Sequence, residues 1–446
     1  MFPFSWLYST GSTTLHCSPE ITDIPTKAGP VNGIAEFTKK YCPAVLTGFK
    51  PSWWLPNGHS QTAYCVMGDF SQVDKVEYDR KYLRLPDGGT LGVDFTPPFS
   101  KELDASTPII VVEHGLTGGS YESYVRHILA TACAPKEEGG LGYRAAVINF
   151  RGCAGVPLTS PRLYSAACTD DLACGALFVS KMFPKAKLVG IGFSLGANVI
   201  TKYLGEEGVN SRLAGACVLA CPWNLVENSK SLEGRWFNRE VYSKAMGTNL
   251  LRLYTSHVPS IEKMEGSHML SINPRILELK SPRLIDVDEV MVSQSGGASP
   301  PWPFASALEY YKHASSDHAL PGIKVPFLAI SAEDDPIVQV IPRPDEPSTE
   351  ASGWVAVAIT PGGGHLGWFE DSEQRGKVRR WIKQPALQWL RAIAEEFVRE
   401  PGQGGRPTEL VDGFTREIGR ENIGYKEIDA EELPKGPDVK GLAKGL

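Results

Sequence analysis

The chain has 446 residues, of which 42% are hydrophobic and 22% charged, a composition that is ordinary for a globular protein with a sizeable core. Its 45 basic and 51 acidic residues give a formal net charge of −6, which argues against a general nucleic-acid binder, because such proteins carry a basic excess or patch. No stretch approaches the ~20 consecutive apolar residues that a membrane-spanning helix needs.

Residues 1–50 carry no regular pattern, and we expect an irregular N-terminal segment. No lysine or arginine precedes Lys27 and no long apolar run is present, so we expect no secretory signal. Five residues near the start are candidates for peripheral contact with a membrane interface, where amphipathic aromatic rings collect; they are Phe2, Phe4, Trp6, Leu7 and Tyr8. The alternative is a tail that packs on the domain or stays loose.

Residues 51–399 carry the pattern of one α/β domain. Residues 74–95 predict a hairpin, because two β-rich runs flank a Pro-Asp-Gly-Gly turn. Six short apolar runs predict buried strands; they are 107–114, 143–150, 187–193, 213–221, 325–331 and 354–360. Helical patterns occur at 121–133, 169–182 and 194–206. Buried strands that alternate with helices favour a mainly parallel central sheet flanked by helices.

Two regions interrupt or follow this alternation. Residues 222–320 are rich in aromatic side chains and show little strand pattern. This insertion is expected either to cover the functional site as a lid or to form a helical layer that completes the core. Residues 400–446 are rich in glycine and charge and poor in apolar residues, so we expect an extended or disordered tail.

The candidate nucleophile is Ser194, which lies in GFSLG between a predicted strand and a predicted amphipathic helix. The segment matches G-x-S-x-G, in which the serine occupies a tight strand-to-helix turn with unfavourable backbone angles. Gly192 and Gly196 would be required there, because the neighbouring chain passes too close for a Cβ atom. The alternative is a small residue at a tight junction, without a catalytic role.

A serine hydroxyl needs a base to take its proton, and a carboxylate orients that base. After a serine of this type the chain order is acid and then histidine. Asp335 follows the predicted strand 325–331 and is the preferred acid, with Asp334 as the alternative. His365 follows another predicted strand and three glycines, and it is the candidate base. The competing interpretation of each is a loop residue without a role.

An oxyanion needs two hydrogen-bond donors. The backbone amide of Leu195, directly after the serine, is one candidate, and the amide of Leu116, after the predicted strand 107–114, is the other. His114 is expected to fix this loop by hydrogen bonding rather than to move a proton. Arg151, in NFRGCAG, is expected to hold a loop near the site through its several donors.

Several longer motifs resemble those of the AB hydrolase 4 family of α/β-hydrolases. They are WWLPNGHSQT, which is similar to the family's N-G-H-x-Q-T signature, HGLTGGSYESYVRHIL, NFRGCAGVPLTSPRLYSAACTDDL and GFSLGAN. The resemblance spans about residues 40–395 and implies the α/β-hydrolase fold, with Ser194, Asp335 and His365 as the catalytic triad. The family includes fungal medium-chain fatty acid ethyl ester synthase/esterases and membrane-associated lipases.

The resemblance leaves part of the first motif without a chemical role. Asn57-Gly58-His59 is expected to be structural, since Asn-Gly favours a tight turn, and Trp53 and Trp54 are expected to pack under the sheet. Some relatives carry an H-x-x-x-x-D acyltransferase signature. No histidine of this sequence has an aspartate five residues later, which weakens an acyl-transfer role based on that motif.

Together these features predict a serine hydrolase that cleaves carboxylic esters of medium-chain or lipid-like acyl groups through an acyl-enzyme. One alternative is an alcohol O-acyltransferase that forms fatty acid ethyl esters, and a second is a non-catalytic binding or scaffold protein on a hydrolase fold. We expect a small-molecule or lipid ester as the substrate, no nucleic-acid partner, and no metal or organic cofactor, because ester chemistry by a triad needs none.

The nine cysteines are irregularly spaced and contain no C-x-x-C pair, which argues against zinc and thioredoxin-type sites. We therefore expect free thiols in a reducing compartment. The expected location is cytoplasmic, and the family resemblance suggests peripheral attachment to lipid droplets or internal membranes as a further option.

Overall fold

A twelve-stranded mixed sheet is the centre of the computed structural model, which describes residues 11–374, 376–399 and 402–437. The strands in chain order are β1 (Thr14–Cys17), β2 (Asp23–Ile24), β3 (Val31–Asn32), β4 (Asp79–Arg84), β5 (Thr90–Thr96), β6 (Ile109–Glu113), β7 (Arg144–Asn149), β8 (Leu188–Phe193), β9 (Leu213–Leu219), β10 (Phe327–Ala332), β11 (Val355–Thr360), β12 (Phe369–Asp371), β13 (Val378–Arg380), β14 (Thr408–Val411), β15 (Phe414–Glu417) and β16 (Arg420–Ile428). The candidate membrane-contacting residues 2–8 lie outside the described residues.

Helices connect and cover these strands. In chain order they are α1 (Gly33–Tyr41), α2 (Gly58–Met67), α3 (Ser123–Ala132), α4 (Thr169–Met182), α5 (Leu195–Glu207), α6 (Leu225–Gly234), α7 (Lys244–Ser256), α8 (Val258–Ile261), α9 (His268–Leu277), α10 (Leu284–Val287), α11 (Ser293–Ser295), α12 (Ala307–Ala314) and α13 (Lys383–Arg391). Wider π-helical turns follow several of them, at Asn238–Ser243, Asp288–Val292 and Ala392–Glu396. Within the described residues, no helix combines the length and apolarity that crossing a bilayer requires.

The sheet has a parallel centre and antiparallel flanks. Its strand order is β1-β11-β10-β9-β8-β6-β7-β5-β4-β16-β15-β14. Every neighbouring pair from β11 to β7 is parallel, so the carboxyl ends of these strands lie along one edge. Such an edge is where α/β proteins place their binding and catalytic loops.

Each face of the sheet packs into its own apolar core. Ile109 and Val111 of β6 belong to a core cluster that includes side chains of α4 and α5. The alternate residues Ile110 and Val112 belong to a second cluster, which includes side chains of α1, α3 and α13. Because both faces are buried, the central strands have continuous apolar sequences instead of an alternating pattern.

The structure confirms the predicted α/β class. The hairpin predicted at 74–95 is formed by β4 and β5, and each of the predicted buried runs overlaps one of the parallel strands. The predicted helices after β6, β7 and β8 are α3, α4 and α5. The agreement is close because burial on both faces gives these segments their strongest sequence signal.

The expectation of an irregular segment over residues 1–50 is wrong for part of its length. Strand β1 pairs antiparallel with β11, where Thr14 lies opposite Ile359, and α1 packs its buried face into the second core cluster. Strand β1 has four residues and depends on a partner from the other end of the chain, so its own sequence carries little strand pattern.

An extended or disordered tail was expected over residues 400–446, but its described part forms a packed sheet. Strands β14, β15 and β16 form an antiparallel meander, and β16 continues the main sheet by pairing with β4. Ile423 is fully buried, and the ring of Tyr425 lies 5.1 Å from that of Phe178 on α4. A few apolar contacts and backbone pairing with an existing edge therefore order a segment of polar composition.

The insertion between β9 and β10 is helical. It contains α6 to α12, and several of its apolar side chains, including Tyr254, Met269 and Ile276, belong to the first core cluster. Other residues of the same segment line a cavity beside Ser194, at the carboxyl end of β8. The insertion therefore completes the core as well as lining the functional region.

Candidate active site

Ser194 stands at the junction of β8 and α5 in a strained conformation. Its φ is +51° and its ψ is −116°, outside the regions that residues with a Cβ atom favour. Its backbone N–H donates to the carbonyl oxygen of Leu219 on the neighbouring strand, at 2.9 Å. Such strain persists only where the surrounding structure holds it, and it places the hydroxyl at the tip of a sharp turn.

The glycines on both sides of Ser194 allow close approach of the chain. A Cβ atom on Gly192 would lie 2.7 Å from the Cα atom of Ala197, and one on Gly196 would overlap the carbonyl oxygen of Glu113 on β6. Real Cβ atoms do not make such contacts, so larger residues would displace the turn. This is the close approach that the sequence predicts for the G-x-S-x-G segment.

His365 lies between Ser194 and Asp335 and is hydrogen-bonded to both. Its Nε2 atom is 2.8 Å from the Oγ atom of Ser194, and its Nδ1 atom is 2.8 Å from Oδ2 of Asp335. With the proton on Nδ1, the imidazole donates to the carboxylate and accepts from the serine hydroxyl. Because His365 and Asp335 are 5% and 1% exposed, water has little access to these hydrogen bonds.

Of the two candidate acids, Asp335 contacts the imidazole. Its second oxygen, Oδ1, accepts from the backbone N–H groups of Ile337 and Val338 at 2.8 and 3.0 Å, which fixes the carboxylate. Asp334 instead accepts the backbone N–H of Gly364 on its Oδ1 atom at 2.9 Å. The first acid therefore orients the imidazole, and the second holds the loop that carries it.

The two predicted oxyanion donors lie on the same cavity as Ser194. Leu116 and Leu195 both line it. The amide of Leu195 begins α5, and a first-turn amide has no acceptor inside its own helix. In the Leu116 loop, the flanking amides of Gly115 and Thr117 donate to the hydroxyl oxygens of Tyr124 and Tyr164. Both neighbours of Leu116 are thus anchored, which holds the loop beside the serine.

His114 has a structural role, as the sequence suggested. Its Nδ1–H donates to the carbonyl oxygen of Gly115 at 2.7 Å, and its Nε2 atom accepts the backbone N–H of Phe150 at 3.2 Å. Burial lowers the pKa of His114 to about 4, because the charged imidazolium would lose its hydration. The ring therefore stays neutral near pH 7 and connects the loops after β6 and β7.

Arg151 is also a loop anchor behind the site. It is 2% exposed and forms a two-pronged ion pair with Asp171, at 2.7 and 2.6 Å. Another of its nitrogens donates to Asp87 at 2.6 Å and to Ser160 at 3.0 Å. These contacts hold the loop after β7 to α4 and to the β4–β5 turn, as expected from the sequence.

A cavity partly open to solvent lies next to Ser194, and its wall is mostly apolar. Residues of the insertion supply much of this wall, among them Leu225, Leu232, Met246, Leu250, Leu284 and Tyr310. An apolar cavity with few polar groups suits a ligand with a hydrocarbon portion. The sequence motifs did not identify these residues, because they come from helices that carry no signature.

Two acidic side chains lie on this apolar wall, and neither was predicted from the sequence. Asp288 is buried and accepts the hydroxyl of Tyr311 on Oδ2 at 2.6 Å. Burial raises its pKa from 3.8 to about 7, although the Tyr311 hydrogen bond opposes the shift. Glu233 forms an ion pair with Arg283 at 3.0 Å, and the same guanidinium also binds Asp286. No motif surrounds either acid, so only the folded insertion reveals where they lie.

Trp53 and Trp54 do not pack under the sheet as expected. They are 70% and 38% exposed, on the loop before α2. The neighbouring His59 lies at the start of α2, and its Nδ1 atom is 2.8 Å from the hydroxyl of Tyr242 in the insertion. The Trp54 ring packs instead against Tyr64 of α2, with the ring centroids 4.9 Å apart.

Comparison with known proteins places the chain among relatives named for ester chemistry. Residues 109–376 match the family described as the alpha/beta hydrolase family. A monoacylglycerol lipase of Saccharomyces cerevisiae is 31% identical over 379 residues, which cover 77% of this chain and 80% of the yeast protein. Monoacylglycerol lipase ABHD2 of Danio rerio is 29% identical, covering 82% of each chain.

A third relative has a name that joins two reactions. Medium-chain fatty acid ethyl ester synthase/esterase 2 of Saccharomyces cerevisiae is 28% identical to this chain, over 82% of this chain and 92% of the yeast protein. The span that matches the family also contains Ser194, Asp335 and His365.

Proposed function

This chain belongs to the alpha/beta hydrolase family and is an ester hydrolase, and we propose that it cleaves esters of medium-chain or lipid-like acids through an acyl-enzyme on Ser194. The observation that carries this proposal is the hydrogen-bonded series Ser194–His365–Asp335, which borders a mostly apolar cavity. A base within hydrogen-bond distance activates the serine, and the apolar wall suits the acyl chain.

Acylation begins when Ser194 Oγ attacks the ester carbonyl carbon while its proton passes to Nε2 of His365. The carbonyl electrons move to oxygen, and the backbone N–H groups of Leu116 and Leu195 donate to this oxyanion. Asp335 holds the imidazole and stabilises its positive charge without taking the proton. The tetrahedral intermediate then collapses, and His365 gives the proton to the departing alcohol, which leaves an acyl group on Ser194.

Deacylation repeats these steps with water as the nucleophile. Nε2 of His365 takes a proton from water, and the hydroxide oxygen attacks the acyl carbon. Collapse of the second intermediate breaks the bond to Oγ, and the serine recovers its proton from the imidazolium. The products are the free acid and the regenerated enzyme, so that each turnover consumes one ester and one water.

Labelling with a fluorophosphonate probe tests the role of Ser194, because this reagent reacts with a serine that a neighbouring base activates. Wild-type protein should be labelled, and Ser194→Ala should not. Ser106→Ala, which changes an exposed serine near the amino end of β6, should be labelled like wild type. Folded wild-type protein that fails to react would contradict the proposal and favour a non-catalytic binding protein.

An alcohol can replace water in the second step, and the same acyl-enzyme then forms a new ester. The relative named a synthase/esterase supports this as a second candidate activity. Product analysis in water containing ethanol distinguishes the two reactions. Free acid as the main product supports hydrolysis, and ethyl ester in excess over the acid supports acyl transfer.

A further inference from the structure

The N-G-H-S-Q-T segment forms the start of α2 and supplies none of the proposed triad side chains. Its first turn is fixed by a reciprocal cap, in which the Asn57 side chain accepts the Ser60 N–H at 3.1 Å. In return, the Asn57 N–H donates to the Ser60 hydroxyl at 3.3 Å. A capped first turn has a defined geometry, so the side chains that follow it are held in fixed directions.

Thr62 binds the backbone of His365. Its Oγ1 atom accepts the His365 N–H at 2.8 Å, while its own hydroxyl proton is donated to the carbonyl oxygen of Gly58 at 2.7 Å. Thr62 is fully buried, so water cannot replace either hydrogen bond. Because the hydroxyl proton is already used within α2, a lone pair of the oxygen remains to hold the histidine amide.

The same turn of α2 packs tightly against the loops of the histidine and of the acid. A Cβ atom on Gly364, whose φ is +57°, would lie 2.8 Å from Thr62 Oγ1, and one on Gly58 would overlap the carbonyl oxygen of Asp334. Gly58 therefore contacts the residue before Asp335, and Gly364 is the residue before His365. One turn of helix thus fixes both loops relative to each other.

Gln61 holds the far end of the histidine loop. Its Nε2 atom donates to the carbonyl oxygens of Leu55 and Phe369 at 2.8 and 2.9 Å, and its Oε1 atom accepts the Phe369 N–H at 2.7 Å. Gln61 is fully buried, and two of the three hydrogen bonds of its side-chain amide go to the backbone of Phe369. The loop from His365 to Phe369 is therefore bound at both ends by adjacent side chains of α2.

We propose that Thr62 and Gln61 are positioning residues that set the distance and direction of the His365 imidazole relative to Ser194. The proposal rests on the proposed role of His365 as the base. A displacement of about 1 Å at a catalytic group costs on the order of 100-fold in rate, so a shift of this loop should affect the chemical step more than binding.

Steady-state kinetics of Thr62→Val test the proposal. Valine keeps the shape but leaves the His365 amide without its acceptor, so the loop should move and kcat should fall about 10- to 100-fold, with KM within about twofold. Thr62→Ser restores the oxygen and should recover most of kcat. The rate of fluorophosphonate labelling should fall and recover in parallel.

Thr38→Val is the matched control. Thr38 is also fully buried and donates to the carbonyl four residues earlier in its helix, Ile34, at 2.7 Å, but it lies in α1, away from the site. Its substitution should lower the melting temperature as Thr62→Val does and leave kcat unchanged. If Thr62→Val does not fold, Gln61→Met provides the second variant, with the same expected loss in kcat.

The outcomes separate this proposal from the proposed function. Wild-type labelling together with an unchanged kcat in folded Thr62→Val or Gln61→Met overturns the positioning role alone. Failure of Thr62→Ser to recover activity also overturns it, because the hydroxyl oxygen would then not be the group that matters. A wild-type protein that is not labelled overturns both proposals.

Discussion

The two carboxylate oxygens of Asp335 have different partners. Oδ2 accepts from Nδ1–H of His365, and Oδ1 accepts from the backbone amides of Ile337 and Val338. In Asp335→Asn, the amide nitrogen cannot accept from Nδ1–H, and the imidazole is held in the wrong tautomer. We expect kcat to fall by about 10⁴, as measured with a chromogenic ester.

Asp334→Asn is the matched control for that substitution. The asparagine oxygen can still accept the Gly364 N–H, so kcat should fall less than about 10-fold. Equal losses in the two variants would contradict the assignment of Asp335 as the orienting acid.

Asp288 predicts a pH dependence of stability. Its pKa is raised to about 7 in the folded chain by burial, against about 3.9 for an unfolded aspartate. Between these values the unfolded chain has lost the proton that the folded chain keeps, so stability falls as the pH rises from 4 to 7. Asp288→Asn should remove this dependence, and its gain over wild type should reach at most about 4 kcal/mol above pH 7.

Thermal unfolding of both proteins at pH 5 and pH 8 measures this difference. The advantage of the variant should be larger at pH 8. A constant difference between the two pH values would show that Asp288 keeps the same charge in the folded and unfolded chain. In the wild type, ionisation above pH 7 should also raise KM for long-chain esters, because a charge then appears on the apolar wall.

Strands and helices were predicted correctly from the sequence where the local apolar pattern of a segment matches its burial in the fold. The run 107–114 contains β6, which is buried on both faces, and the G-x-S-x-G segment identified the turn at Ser194. The outer strands were missed, because β16 gains its order from pairing with β4 and its own apolar pattern is weak. The cavity wall was missed because motifs do not predict how the helices of an insertion pack.

The C-terminal strands β14 to β16 contribute to stability through a buried ion pair with the rest of the domain. Glu417 on β15 is 4% exposed and accepts from Arg212 at 2.8 Å, at the junction with the core. Glu417→Gln leaves the arginine charge buried without its counter-ion and should lower the free energy of unfolding by about 3 kcal/mol. Urea unfolding provides the measurement.

A second ion pair on the same meander serves as the control. Glu427 binds Lys81 at 2.7 Å, but both side chains are well exposed, at 45% and 38%. Glu427→Gln should therefore change the free energy of unfolding by less than about 1 kcal/mol. Similar losses in the two variants would mean that burial does not govern these pairs.

At the scale of the whole molecule, the cysteines behave as interior side chains. Each one lies in the described part of the chain without a disulfide partner, and most are buried. Burial raises the pKa of the Cys42 and Cys221 thiols to about 12, which keeps the reactive thiolate scarce. Native protein should react slowly with Ellman's reagent, and unfolded protein should react rapidly at all nine thiols.

The melting temperature should also be the same with and without a reductant, because no covalent link is expected to break. A lower melting temperature in reductant would show that a disulfide forms in solution, and it would contradict this prediction.

Because β1 pairs with β11 and β4 pairs with β16, the central sheet can be completed only after its late strands have been synthesised. Each pair joins an early strand to a late one, so the outer side of β4 has no neighbour until Ile428 has emerged. Nascent chains therefore carry open strand edges for most of their synthesis, which favours association with other chains. Pairings between distant residues are slow to form, so completion of the sheet becomes a late step of folding.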